Sequence, residues 1–424
     1  MTHHRSERLI RHSMLLLIAS QVTNVANFFF QFFMIRILSP VEYGFLASML
    51  AFLMIVLTPL NALSNSMAYY SAKLVDDRQS GAIIPFMRHW LVKTSFVALA
   101  LVILGAVACP MVASFFNLQR KTTFFITMVV MGLSLYGPVV GGILQGAQAF
   151  TWSAVSGISG GFLRLAGGVA LVLLFGHISD WAIVGHGVGA LAGLLVGALG
   201  VHLVFCGHAP VVAHKNVMSY FLVTLIVLAG YSVMMTADVL IVQHYFAPEE
   251  SGLFAQVATI SRAIIFLPMP IAGALFPKIV AAGNADSRHK RLLLRGTLFA
   301  GGIILAAAGA CSLVPQLPLW VFHVPVTESS VLLMRCMLWA MTPLSLAYII
   351  MNYHLAQNRF KLLFLIPVCA FCYLAGAAVW HASVLQIVAV LAVSGLAALA
   401  VMLVGLPWKS APYSKSKGNA GLTC

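Results

Sequence analysis

Between residues 14 and 406 the sequence is a succession of apolar runs of about 20 residues, each long enough to cross a ~30 Å hydrocarbon layer as a helix. Only 8% of the 424 residues are charged, against roughly 25% in an average soluble domain. With 61% hydrophobic residues, a water-soluble fold could not bury the apolar surface. The runs do not alternate polar and apolar residues with period two, so a membrane β-barrel is excluded. The expectation is an all-α polytopic membrane protein of about 12 transmembrane helices. The spans lie near 14–35, 44–66, 91–116, 122–146, 153–176, 181–206, 219–246, 252–276, 296–320, 331–353, 362–380 and 384–406.

The formal net charge of +14 is explained by orientation. With the N-terminus on the cytoplasmic side, inward segments carry 18 of the 24 Lys and Arg, and outward loops hold only Arg36, Arg120 and Lys121. This is the positive-inside bias, which places both termini in the cytoplasm and requires no nucleic acid partner. The first span contains Gln21, Asn24, Asn27 and Gln31, is too long for a signal-peptide core and lacks a small-residue cleavage site, so it reads as a retained helix. His3-His4 has no assigned role. The seven cysteines are scattered; the Cys369–Cys372 pair lies inside a span without a redox-motif context and reads as buried packing thiols.

A short polar phrase occurs twice. "RILSPVEYGFLASML" (36–50) and "HYFAPEESGLFAQVA" (244–258) align at an offset of 208, matching Pro40 with Pro248, Glu42 with Glu250, Gly44 with Gly252 and Ala47 with Ala255. A weaker echo aligns "QGAQAF" (145–150) with "LAQNRF" (355–360). Six spans precede and six follow "GHAPVVAHKN" (207–216), so the repeats are parallel and related by an axis along the membrane normal. The expected organisation is an N-terminal six-helix lobe (1–206), a cytoplasmic linker (207–218), a C-terminal six-helix lobe (219–406) and a basic tail (407–424). Within the phrase, Pro, an acid and Gly suit a tight helix entry, so Glu42 and Glu250 read as helix-entry residues.

The run "FFMIRILSPVEYGFLASMLAFLMIVLTPL" resembles the opening of the polysaccharide-exporter branch of the MOP superfamily, which includes O-antigen and lipid-linked oligosaccharide flippases and is related to the MATE exporters. The span count, parallel halves and repeated phrase extend the resemblance over the whole chain. It implies two lobes around a central cavity, alternating access, a polyprenyl-pyrophosphate-linked sugar as substrate, and a bacterial cytoplasmic (inner) membrane location. The chain departs from some relatives in ending after twelve spans rather than fourteen, and in having few cavity charges.

Charges inside a span cost about 2.5–3.5 kcal/mol each on insertion scales and call for a reason. Arg164, Asp238, Arg262 and Arg335 are such charges. Arg164, Arg262 and Arg335 are candidate cavity cations, because a guanidinium binds phosphate oxygens with forked hydrogen bonds. In competing readings Arg262 neutralises Asp238 between the seventh and eighth spans, and Arg335 reaches the outer interface. Asp238 is a candidate for proton or sodium coupling, against which stands a neighbouring Arg262 that would hold it ionised.

Polar stripes agree. Asn24, Asn27 and Gln31 continue a stripe from Ser20 on one helix face; Thr58, Asn61 and Asn65 do so on the second span. Thr224, Tyr231 and Asp238 recur every seven residues, and Gln256, Thr259 and Arg262 every three. Asn24, Asn27, Gln31, Asn61, Asn65, Tyr231, Gln256 and Thr259 are the candidate cavity lining; singly, each serves as well as a bond between helices. Pro59, Pro138, Pro268, Pro270 and Pro343 are candidate kinks.

The expected function is that of a flippase moving a lipid-linked oligosaccharide across the membrane for surface polysaccharide biosynthesis, with a polymerase and other export machinery as partners. No covalent chemistry, cofactor or metal site is expected: the sequence has no nucleotide-binding glycine loop, metal-spaced His/Cys cluster or nucleophilic triad. The competing classes are a membrane polysaccharide polymerase or ligase, whose family members usually present catalytic residues on a large external loop, and a MATE-like exporter of cationic molecules, which would favour acids in its cavity.

Overall fold

The computed structural model describes the backbone of residues 2–77, 79–205, 218–266, 287–356 and 360–404, and every regular element among them is a helix. In the first half these are α1 (Thr2–Ile37), α2 (Pro40–Leu57), α3 (Asn61–Asp76), α4 (Ile83–Phe115), α5 (Lys121–Ser134), α6 (Gly137–Gly146), α7 (Phe150–Phe175) and α8 (Ser179–Val204). The second half contains α9 (Met218–Tyr245), α10 (Pro248–Phe266), α11 (Ser287–Leu313), α12 (Gln316–Val321), α13 (Glu328–Ala356), α14 (Phe360–Leu363), α15 (Leu365–Val379) and α16 (Val384–Val404). Eight helical stretches of the described residues are long and apolar enough to cross a bilayer, and Leu298–Leu313 and Leu365–Val379 are shorter apolar helices. The protein is an all-α polytopic membrane protein. Most of the 207–218 linker, the 407–424 tail, Pro268 and Pro270 lie outside the described residues.

Prolines shape two of the predicted spans. The 44–66 span is two helices, broken at Thr58-Pro59-Leu60, where the amides of Leu60, Asn61 and Ala62 bond back three residues instead of four. The 122–146 span is likewise divided into α5 and α6, with Pro138 in the first turn of α6. Pro343, by contrast, sits inside the unbroken α13.

Packing within the halves repeats. In the first, α1 lies on α7, α7 on α8, α5 on α8, α4 on α5, and α3 on α6. In the second, α9 lies on α15, α15 on α16, α13 on α16, and α11 and α10 on α13. Numbered as spans, these are the same five pairings. The halves meet where α2 crosses α10, and there the repeated phrase touches its own copy: a Cβ on Gly44 would stand 3.0 Å from the Gly252 Cα. Equivalent positions meet each other only near a twofold axis, as in an isologous dimer interface.

The entry to α2 follows its sequence. Ser39 is extended (φ −63°, ψ 157°) and its Oγ accepts from the Glu42 amide at 3.3 Å, with Pro40 leading the helix. Glu42 does more than favour that helix end. Its carboxylate accepts from Arg120 Nη2 at 2.6 and 2.7 Å and from the Ser179 amide at 2.8 Å, thereby capping α8 as well. Asp180 completes the knot, 3.7 Å from Arg120 Nε and accepting from Thr122 and Thr123 at 2.6 and 2.5 Å. Glu250, the repeat partner, is exposed in the first turn of α10.

The two ends of the molecule differ. One apolar core joins both halves: it includes Met34, Leu46 and Met49 near residues 36–44 and continues through Met234, Phe254 and Leu391 along the second half. Among the described residues, a second core, built around Met67, Phe86, Ile143 and Val201, contains residues of the first half only. Polar contacts reinforce the shared end. Asn117 Nδ2 donates to the His244 carbonyl at 3.0 Å, His244 Nδ1 donates to the Phe115 carbonyl at 2.6 Å, and the Phe115 and His244 rings stack at 3.8 Å. Arg36 Nε donates to His323 Nδ1 at 2.5 Å. The halves are therefore sealed together at the 36–44 end.

Candidate functional site

Below that seal lies a cavity of about 760 Å³ between the halves, within the range usual for small-molecule sites. From the first half it is walled by Asn24, Asn27, Phe28 and Gln31 of α1, Thr58 and Asn61 at the α2–α3 break, Arg164 of α7 and His186 of α8. The second half contributes Met235, Thr236 and Val239 of α9, Thr259 and Arg262 of α10, and Phe322. No carboxylate lines it among the described residues.

The roof is a hydrogen-bonded bridge. The Tyr43 hydroxyl, from the repeated phrase, donates to Gln31 Oε1 at 3.1 Å and lies 2.9 Å from the Thr259 hydroxyl, which can donate in return. Three helices, one from the second half, are thus tied at one buried oxygen. Behind it, Ser48 Oγ donates to Gln243 Oε1 at 3.3 Å, and Gln243 Nε2 donates to the Phe116 carbonyl at 3.2 Å.

The two cavity arginines stand in different electrostatic settings. Arg262 is ion-paired through Nη2 to Asp238, and its Nε donates to the Met235 carbonyl at 3.0 Å. Asp238 is fully buried behind it, with Oδ2 lacking a hydrogen-bond partner among the described residues. Arg164 has no carboxylate partner among the described residues; Nη1 donates to Asn27 Oδ1 at 2.8 Å and Nε is buried without an acceptor. His186 stands one helix away, on α8, with Nδ1 also buried and unpartnered. The backbones of α7 and α8 approach closely because glycines face each other: a Cβ on Gly185 would fall 2.2 Å from the Gly168 Cα, and one on Gly189 2.6 Å from the Arg164 Cβ.

Of the predicted lining, Asn24, Asn27, Gln31, Asn61, Thr259, Arg164 and Arg262 are on the wall together. The others are placed elsewhere. Arg335 is exposed on α13, off the cavity, and its Nε donates to the Ser312 carbonyl at 3.0 Å. Asn65 is exposed on α3, about one turn beyond Asn61 and not on the wall. Tyr231 is buried inside the second half against Tyr348, its hydroxyl 3.5 Å from the Leu344 carbonyl. Gln256 is buried off the wall, with Oε1 unpartnered among the described residues. The seven-residue stripe of α9 therefore turns into its own half, and Met235, Thr236 and Val239 face the cavity instead. Cys372 is exposed on α15, not buried as expected, and both Cys369 and Cys372 are free thiols.

Sequence reasoning missed His186 and Tyr43. His186 lay inside the glycine-rich "WAIVGHGVGA"; a polar ring in an otherwise apolar span was a usable signal. Tyr43 carried none, because an aromatic residue beside a helix start is ordinary.

Neither a family model nor a curated protein matches the sequence. Solved structures do match. An inward-facing multidrug-resistance MATE family transporter of the MOP superfamily superposes with a TM-score of 0.73 at 12% identity, covering 92% of this chain and 96% of that one. The lipid II flippase MurJ in an inward closed conformation gives 0.67 at 12% identity, over 92% and 87% of the two chains. A MOP-superfamily transporter from Pyrococcus furiosus, described by the reverse polarity of its binding pocket, gives 0.61 at 15% identity over 93% of each. The chain has the fold of the MOP-superfamily transporters.

Proposed function

We propose that the protein is a flippase that translocates polyprenyl-pyrophosphate-linked oligosaccharide repeat units across the cytoplasmic membrane, by alternating access, for surface polysaccharide biosynthesis. The observation that carries this reading is a cavity between two repeated halves whose wall holds Arg164, which no described carboxylate neutralises, beside His186, while Arg262 on the same cavity is already neutralised by Asp238. Such a wall favours an anionic group and disfavours the cationic cargo of a drug exporter. Asparagine, glutamine and threonine side chains on the same wall suit sugar hydroxyls, and the lipid tail would stay in the bilayer. In this reading the sealed 36–44 end is external, the cavity faces the cytoplasm, and a polymerase uses the delivered units. Asp238 is the residue for ion coupling, if its pairing with Arg262 is broken during the cycle.

The experiment is a deletion of the gene followed by assay of which leaflet holds the lipid-linked oligosaccharide. Complete repeat units trapped on the cytoplasmic side, and exported again when the native gene is restored, support the flippase. Units that reach the outer leaflet but stay unpolymerised put the polymerase or ligase in its place.

A further inference from the structure

The two arginines of the cavity wall are not equally compensated. Asp238 neutralises Arg262, and a backbone carbonyl takes its Nε. Arg164 is left with a neutral amide as its acceptor. Its Nε and the Nδ1 of His186 are buried nitrogens without partners among the described residues, on adjacent helices that glycines hold in backbone contact. A buried donor left unsatisfied costs free energy, and an uncompensated buried cation costs more. Both side chains line one cavity, where a guanidinium without a carboxylate and a ring that can turn an N–H inward are the complement of an acceptor-rich anion.

We propose that Arg164 and His186, with Asn27 orienting the guanidinium, form an anion subsite on the wall of the N-terminal half, and that it receives a phosphate or pyrophosphate group. Arg262 is not part of it; the Arg262–Asp238 pair belongs to the opposite wall and is electrically neutral. The headgroup thus sits off the pseudo-twofold axis, against α7 and α8. A guanidinium offers a planar fork of donors to phosphate oxygens, and the imidazole N–H adds one from the side. The repeat has no equivalent cation on the other side: the residues 208 and 210 positions after Arg164, the offsets of the two sequence echoes, are Cys372 and Leu374, and both are exposed. The subsite deepens the flippase reading and rests on it for the lipid source of the phosphate, but would by itself also take a free anion.

The test is equilibrium binding to the purified full chain in lipid nanodiscs, with three probes: undecaprenyl pyrophosphate, undecaprenol and inorganic pyrophosphate. Arg164→Gln is expected to weaken binding of the lipid pyrophosphate about tenfold, the loss of charge-assisted hydrogen bonds. His186→Gln is expected to weaken it to a smaller extent, and undecaprenol binding is expected to be unaffected by either change. The double variant Asp238→Asn/Arg262→Gln, which removes the neutral pair without stranding a charge, is expected to bind like the native protein. Native-like pyrophosphate binding by a folded Arg164→Gln variant, or its loss only in the double variant, overturns the subsite. Where Arg164→Gln does not give folded protein, His186→Gln carries the same decision. Arg164-dependent binding of inorganic pyrophosphate with no binding of the lipid supports the subsite and removes the flippase reading. Lipid binding that ignores Arg164 and His186 overturns the subsite and leaves the flippase reading in place.

Discussion

Glu42 shows how much one side chain can join. It lies in the first turn of α2, caps α8 through the Ser179 amide and takes both bonds from Arg120. Glu42→Gln keeps the shape but removes the charge, leaving Arg120 with Asp180 alone at 3.7 Å. The expected loss is about 1–3 kcal/mol, because Arg120 is partly solvated. It would be read as a lower midpoint of thermal unfolding in detergent; Arg120→Ala should lower it similarly, and the double variant by less than the sum. Gly252 gives a second residue-scale prediction. A methyl there would stand 2.1 Å from the Pro40 carbonyl oxygen, so Gly252→Ala should cost about 1–3 kcal/mol by overpacking. The same unfolding measurement checks it. That a Pro-acid-Gly phrase marks a helix entry was legible in the sequence. That Glu42 would end up buried against Arg120 and Asp180 while Glu250 stayed exposed was not, since the partners come from helices more than 70 residues away.

At the scale of elements, the α7–α8 pair depends on glycine. Gly185 and Gly189 have no room for a side chain against Gly168, Gly160 and Arg164. Without a hydrophobic drive between helices in lipid, close backbone contact carries much of the association. Gly185→Leu should therefore separate the pair and abolish folded protein, as judged by loss of the monodisperse peak in size-exclusion chromatography. Gly141 on α6, where an added Cβ would meet nothing within 4 Å, is the control: Gly141→Ala should leave that peak intact and raise stability by about 0.5–1 kcal/mol. Helix existence followed from run length alone, while the breaks at Pro59 and Pro138 were visible as prolines without being assignable as breaks. Pro343, of the same type, leaves α13 continuous, so the residue type alone does not say where a helix breaks.

At the scale of the whole molecule, contacts between the halves close the 36–44 end, and the proposed alternating access would need those contacts to part. Cysteines placed at Asn117 and His244, which touch across the seam, should react with a short thiol-specific cross-linker in a background cleared of reactive native thiols. Cross-linking is expected to stop transport and cleavage of the linker to restore it; transport that continues through an intact cross-link would show that this seam does not open. Run length and charge content determined a polytopic helical membrane protein, because the cost of exposing apolar surface and unpaired backbone in each solvent is a property of the chain itself; the offset of the repeated phrase pointed to a duplicated unit. Periodicity also placed Asn24, Asn27 and Gln31 on one face, since that spacing depends only on helix pitch. Which faces meet was decided by tertiary structure: it turned Tyr231 and Asp238 into their own half, left Arg335 and Asn65 off the cavity, brought Tyr43 to the roof, and set His186 beside an Arg164 that no described carboxylate neutralises. Helix rotation is set by packing against neighbours distant in sequence, and no local pattern encodes it.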